Sequence, residues 1–113
     1  MIRRGEIWWA SLPAAAGSGP GFRRPVLVVQ ANDFNDSVIR TVICAVITAN
    51  LRLAKAPGNV QLGRSASGLN KESVVNVSQL VTLDKRFLTE RVAGLAPASL
   101  RSVDAGLRLA LAL

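Results

Sequence analysis

Arg23-Arg24-Pro25-Val26-Leu27-Val28-Val29-Gln30 is the stretch on which the fold turns. Pro25 to Gln30 is a short apolar, β-branched run that predicts a well-buried strand. Pro25 fixes its own φ and biases Arg24 toward extended backbone, so the Arg24 side chain leaves the strand entrance in a defined direction. Immediately upstream, Pro13–Gly21 combines Gly, Ser, Ala and Pro too densely for a regular element and predicts a mobile loop. Before that loop, Glu6-Ile7-Trp8-Trp9-Ala10-Ser11-Leu12 is aromatic and apolar, ends at Pro13, and predicts a first strand.

Downstream, Asn32–Asp36 carries turn chemistry, and Arg40–Thr48 (RTVICAVIT) predicts a third strand buried on both faces for most of its length. A polar connection containing Pro57-Gly58 leads to a short strand around Asn59–Leu62, and Gly63–Lys71 predicts another loop. Ser73–Val77 and Gln79–Leu83 predict two successive strands, broken from a last one at Leu88–Leu95 by Asp84-Lys85-Arg86. Pro97 suits the first turn of a helix. Leu100, Val103, Leu107 and Leu111 recur at three- and four-residue spacing after it, with Arg101, Asp104 and Arg108 outside the stripe. These elements predict a mainly β fold, an antiparallel barrel or curled sheet with one C-terminal helix, and residues 1–113 read as a single domain.

Composition removes much chemistry. Histidine and tyrosine are absent and cysteine occurs once, at Cys44. The usual general base, the usual zinc ligand and any intrachain disulfide are therefore excluded. The longest uncharged apolar stretch, Thr41–Leu51, has 11 residues, against about 20 for a membrane span. Met1-Ile2-Arg3-Arg4 runs into Gly5-Glu6 rather than an apolar segment, so the expectation is a cytoplasmic protein without a secretory signal or membrane association. Lys and Arg number 14 against 7 Asp and Glu, a net charge of +7. Most of the excess falls in residues 1–71, and 11 of the cations are Arg, whose planar fork suits phosphate. A polyanion partner follows, but charge alone does not separate RNA, DNA and an acidic protein.

Arg24 opens one predicted strand and Thr48 closes another. If the two strands are antiparallel neighbours, guanidinium and hydroxyl come together, a pair suited to gripping a phosphate. Taken singly, a basic doublet before a strand is ordinarily just solvated, and a Thr at a strand end is ordinarily there for β-propensity. Trp8 and Trp9 point to opposite faces of their strand, so at least one belongs to the core. Cys44, among Ile43, Ala45 and Val46, reads as an inert buried thiol.

The ordered set RRGEIWWASL, GFRRPVLVVQ, VICAVIT, SVVNVSQLVTLDKRFL and a terminal apolar helix resembles the MazF/PemK family of toxins across nearly the whole chain. The resemblance implies an SH3-like β-barrel of the CcdB/Kid/MazF toxin type. It also implies a homodimer and the toxin half of a type II toxin–antitoxin pair. The family activity is metal-independent, cofactor-free, sequence-specific cleavage of single-stranded messenger RNA. Attack by the ribose 2′-hydroxyl leaves a 2′,3′-cyclic phosphate and a 5′-hydroxyl. The family's catalytic Arg matches Arg24 and its catalytic Thr matches Thr48; Arg23, Ser18, Gln79 and Lys55 correspond to the RNA-binding set. Many members carry a Gly-Ser-Glu-Gln-Gly-like first loop where this chain has Gly17-Ser18-Gly19-Pro20-Gly21, so no loop carboxylate is available as a base. The implied antitoxin offers an acidic, partly disordered tail to the basic surface. Two other readings stay open at this level: a gyrase-binding toxin of the same fold, as relatives of CcdB are, and an RNA-binding module without cutting activity.

Overall fold

The computed structural model describes residues 1–12 and 22–113. The predicted loop Pro13–Gly21, with Ser18, lies outside the described residues. Six strands run β1 (Glu6–Leu12), β2 (Phe22–Val28), β3 (Thr41–Thr48), β4 (Val60–Leu62), β5 (Ser73–Asp84) and β6 (Leu88–Gly94). They form one antiparallel sheet in the order β4-β5-β3-β2-β1-β6. β5 borders β3 and β6 borders β1, yet only a 3₁₀ turn, Lys85–Phe87, joins β5 to β6. A link that short forces the sheet to curl until its distant strands meet, which makes a half-barrel.

Both faces of the curled sheet are buried, and strand alternation divides the core between them. Val26, Val28, Val42 and Cys44 project to one side, where Ala10, Leu83 and Leu88 pack with them. Leu27, Ala45 and Ile47 project to the other side and join Ile7, Val75, Val77 and Val103. Val103 belongs to α3 (Pro97–Leu111), the helix that seals this second face. Trp8 packs against the first cluster and Trp9 against the second, opposite ways as the strand period requires, and both are half-buried.

Several sequence expectations need correction. β2 begins three residues before Pro25, because Phe22 to Pro25 still pair with β1. The two strands expected from Ser73 to Leu83 are one. β5 continues through a bulge, its pairing with β3 jumping from Val46↔Asn76 to Ala45↔Leu80, so Val77, Ser78 and Gln79 have no opposite residue on β3. The Asn59 carboxamide holds the bulge, its oxygen accepting from the Val77 N–H at 2.9 Å while its NH₂ donates to the Leu53 carbonyl at 2.9 Å. Two predicted turn or loop segments contain single helical turns, α1 (Asn32–Asn35) and α2 (Arg64–Ser67). A 3₁₀ turn, Leu51–Lys55, occupies the connection after β3, with Asn50 as its cap.

The helix also sits differently from its expected stripe. Val103 and Gly106 are buried, Leu100 and Leu107 partly so, and Leu111 is exposed because the last turn runs past the sheet. Asp104, expected outside the stripe, pairs with Arg4 at 2.7 Å. Gly106 lets α3 press against the Gly58 turn. A Cβ at Gly106 would strike the Gly58 carbonyl, with the Gly58 Cα 3.2 Å away, and Gly58 itself has φ +80°. No helix among the described residues is long and apolar enough to cross a membrane.

Candidate active site

β2 and β3 are antiparallel neighbours paired through Val28↔Cys44, Leu27↔Ala45 and Val26↔Val46. The pairing ends at Val26↔Val46; Arg24 and Thr48 each lie two residues beyond it, at the end where the two strands part. There β2 remains bonded only to β1, through Ala10↔Arg24 and Ser11↔Arg23. The separation of the two strands opens a cleft of about 440 Å³ that both residues line. Trp9, Phe22 and Pro25 form one wall, and Asn50, Asn70, Lys71 and Ser73 contribute the other polar groups. No carboxylate lines it among the described residues, while Arg23, Arg24 and Lys71 do.

Each candidate side chain has a distinct setting. The Thr48 hydroxyl oxygen accepts from the Asn50 N–H at 3.1 Å, which fixes the oxygen and leaves its proton free to donate. The Arg24 guanidinium lies over the Phe22 ring, 5.4 Å from its centroid, with no carboxylate partner among the described residues. Arg23 lines the same cleft from the neighbouring position of β2. It pairs with Glu90 at 3.0 Å and stacks on Trp9 at 4.9 Å, so its charge is partly occupied. Gln79 stands in the β5 bulge and lines a second cleft, about 420 Å³, that shares Arg24 and Phe22 with the first. Lys55 is exposed at the end of the 3₁₀ turn and lines neither cleft. Ser18 lies outside the described residues.

The structure therefore gathers Arg23, Arg24 and Thr48 in one cleft, and Gln79 in its neighbour. Asn50, which follows Thr48 and opens the connection expected to flank the strand-end site, does line the cleft, whereas sequence reading missed Asn70, Lys71 and Ser73. Lys71 was visible only as one more cation, since its approach to Thr48 depends on β5 pairing with β3, Thr48↔Val74. The clustering of cations toward the N-terminus also proves partly structural. Arg3 is bound to Asp36 at 2.6 Å and Arg4 to Asp104, leaving fewer charges for a polyanion than a count suggests. Lys85 likewise donates to the carbonyls of Asn35 and Ser37 and anchors a turn. Burial pushes the Cys44 thiol up to about 12, so it supplies no thiolate. Among the described residues no three His, Cys, Asp or Glu side chains are grouped for a metal ion.

With this geometry in place, the comparisons converge. A family model described as PemK-like, MazF-like toxin of type II toxin–antitoxin system matches residues 3–111. The Mycobacterium tuberculosis protein named endoribonuclease MazF6 is 53% identical over 109 residues, covering 96% of this chain and 95% of its own. Endoribonuclease EndoA of Bacillus subtilis is 36% identical over 113 residues, 100% of this chain and 97% of its own. Among solved structures, a mycobacterial endoribonuclease in complex with its cognate antitoxin superposes with a TM-score of 0.82 at 26% identity. That match covers 100% of this chain and 97% of the other. A MazE–MazF complex from Deinococcus radiodurans gives 0.80 at 26% identity, covering 99% and 96%. The chain belongs to the PemK-like, MazF-like toxins of type II toxin–antitoxin systems.

Proposed function

We propose that this toxin is an endoribonuclease that cuts single-stranded RNA in the cleft between Arg24 and Thr48. One observation carries the reading: a guanidinium without a carboxylate partner among the described residues and a fixed hydroxyl line the same cleft, and no described carboxylate lines it with them. In the reaction the ribose 2′-oxygen bonds to the adjacent phosphorus as the bond from phosphorus to the 5′-oxygen breaks. The 2′-hydroxyl loses its proton, the departing 5′-oxygen gains one, and a 2′,3′-cyclic phosphate remains. Between those states the phosphorus carries an extra ligand and added negative charge on its free oxygens. Arg24 meets that charge with two N–H donors, and Thr48 adds one directed hydrogen bond. A guanidinium is not deprotonated in proteins, so Arg24 acts by charge and orientation. The cleft also selects unpaired RNA, whose splayed bases reach protein walls that a duplex groove does not.

The mycobacterial and Deinococcus neighbours are complexes with antitoxins. By analogy, this chain takes a cognate antitoxin whose acidic segment covers the basic cleft in competition with RNA. A homodimer accounts for the apolar surface beside α3, where Ile43, Leu111 and Leu113 are exposed around a groove of about 430 Å³.

The test is to incubate purified protein with long single-stranded RNA, with and without a chelator, and map the fragment ends. Discrete cuts bearing cyclic phosphate, insensitive to the chelator, are expected. Arg24→Ala and Thr48→Val should each lower the cutting rate by about 10²- to 10³-fold, while Arg24→Lys keeps measurable activity because a cation remains. Intact RNA with a salt-sensitive mobility shift would instead make the protein a binder that does not cut.

A further inference from the structure

We infer that Lys71 holds the phosphate next to the one being cut, and that the RNA strand continues from Lys71 over Leu69 and Asn70 to Arg64. The inference rests on the endoribonuclease reading of the cleft and adds a direction to it.

Three cations line the cleft, and their circumstances differ. Arg23 is tied to Glu90 and laid on Trp9, and Arg24 shares the cleft with Thr48, where the proposed reaction takes place. Lys71 is exposed, close to Thr48 through the Thr48↔Val74 pairing, and free of any carboxylate partner among the described residues, where Arg23 is paired and Arg24 is half-buried. Its backbone is fixed, since the nearly buried Ser73 hydroxyl donates to the Lys71 carbonyl at 3.0 Å. A mobile ammonium on a rigid base suits a flanking phosphate, which needs a point charge rather than a fork.

From Lys71 the surface leads onward. Leu69 and Asn70 belong both to the cleft and to a shallower depression of about 700 Å³. Gly63 and Gly68 leave that depression low-walled, and exposed Arg64 stands on it without a carboxylate partner among the described residues. Glu72 also borders it, so the strand is expected on the Arg64 side. On the other side of Arg24, the Gln79 cleft is lined by Leu12, Val46, Val81 and Leu83 and, among the described residues, holds no cation besides Arg24. That side fits a base; the backbone, which carries the charge, goes toward Lys71.

The test uses the full-length protein and a series of single-stranded RNAs containing one cleavage site, lengthened on the 5′ or the 3′ side alone. Binding is measured on versions made uncleavable by a 2′-deoxy substitution at the scissile nucleotide. Lys71→Ala should weaken binding about two- to five-fold, raising KM with kcat little changed. It should also reduce the slope of log K against log salt by about 0.7, one phosphate contact on a single strand. Lys71→Arg should restore both. Arg64→Ala should weaken only RNAs lengthened on one of the two sides. Arg101→Ala, an equal charge change on the exposed face of α3, should leave the slope unchanged. Lys71→Ala matching Arg101→Ala, in a protein whose wild type cuts RNA normally, overturns the inference and spares the endoribonuclease reading. A wild type that neither binds nor cuts RNA overturns both.

Discussion

Replacing Gly106 by Ala sets two physical effects of opposite sign against each other. In an exposed helix interior the substitution stabilises by about 1 kcal/mol, because Gly is the poorer helix former. Here the new methyl would enter the contact between α3 and the Gly58 turn, striking the Gly58 carbonyl and crowding its Cα at 3.2 Å. Backbone is the obstacle, and at φ +80° the Gly58 turn has little room to give. Forcing a methyl into a packed contact costs about 1–3 kcal/mol, more where backbone must shift. The steric cost therefore exceeds the propensity gain, and a net loss of about 1–2 kcal/mol is expected, roughly 5–10 °C in Tm for a domain of this size. Gly63→Ala is the control: nothing lies within 4 Å of the added methyl and φ is −70°, so stability should stay within about 0.5 kcal/mol of wild type. Urea unfolding followed by Trp8 and Trp9 fluorescence, at one fixed protein concentration, measures both. A Gly106→Ala protein as stable as wild type, or more so, would refute the reasoning.

Glu6 is nearly buried; burial alone would raise its pKa, but hydrogen bonds from Arg91 at 2.6 Å, the Arg3 N–H and Trp8 outweigh that and hold the carboxyl below its ordinary 4.5. Its contribution is present above pH 4.5 and lost as pH falls through the depressed value, so Glu6→Gln should cost about 1 kcal/mol at neutral pH. That gap from wild type should narrow in urea titrations carried below pH 4.5, and a constant gap would count against the ion pair. Cys44, fully buried, should resist iodoacetamide at pH 8 in the native state and react in urea, as mass spectrometry would register; labelling at the rate of a free thiol would contradict its burial. A chain ended at Asp84 loses β6 and α3, uncovering the core beneath Val103 and Leu88, and should show no cooperative thermal transition by circular dichroism.

Strand positions were legible wherever one residue type dominated. Glu6–Leu12 and Thr41–Thr48 stand close to where their apolar runs place them, because pattern and burial agree. The β5 bulge was not legible: Asn76, Ser78 and Gln79 look like a break, and only Asn59, some eighteen residues earlier, keeps the strand going by bonding Val77. Gly106 gave no warning either, since its reason is a turn 48 residues away. Arg24 and Thr48 could be paired from the sequence only on condition that β2 and β3 were neighbours, a condition the topology meets. Lys71 and Asn70 reach the cleft by tertiary approach alone, and Arg4 looked like surface charge until Asp104, one hundred residues on, was beside it.

The closure of β1 by β6 bears on how such a toxin comes into being. Glu6 pairs with Gly94, the Gly5 carbonyl takes the N–H of Leu95, and Arg4 waits for Asp104. β1 can pair with β2 early, but its other edge and the Arg4 guanidinium stay without these partners until β6 and α3 have been synthesised. Until then the β1 edge that β6 will cover carries unpaired N–H and C=O groups, an open template for pairing with another chain.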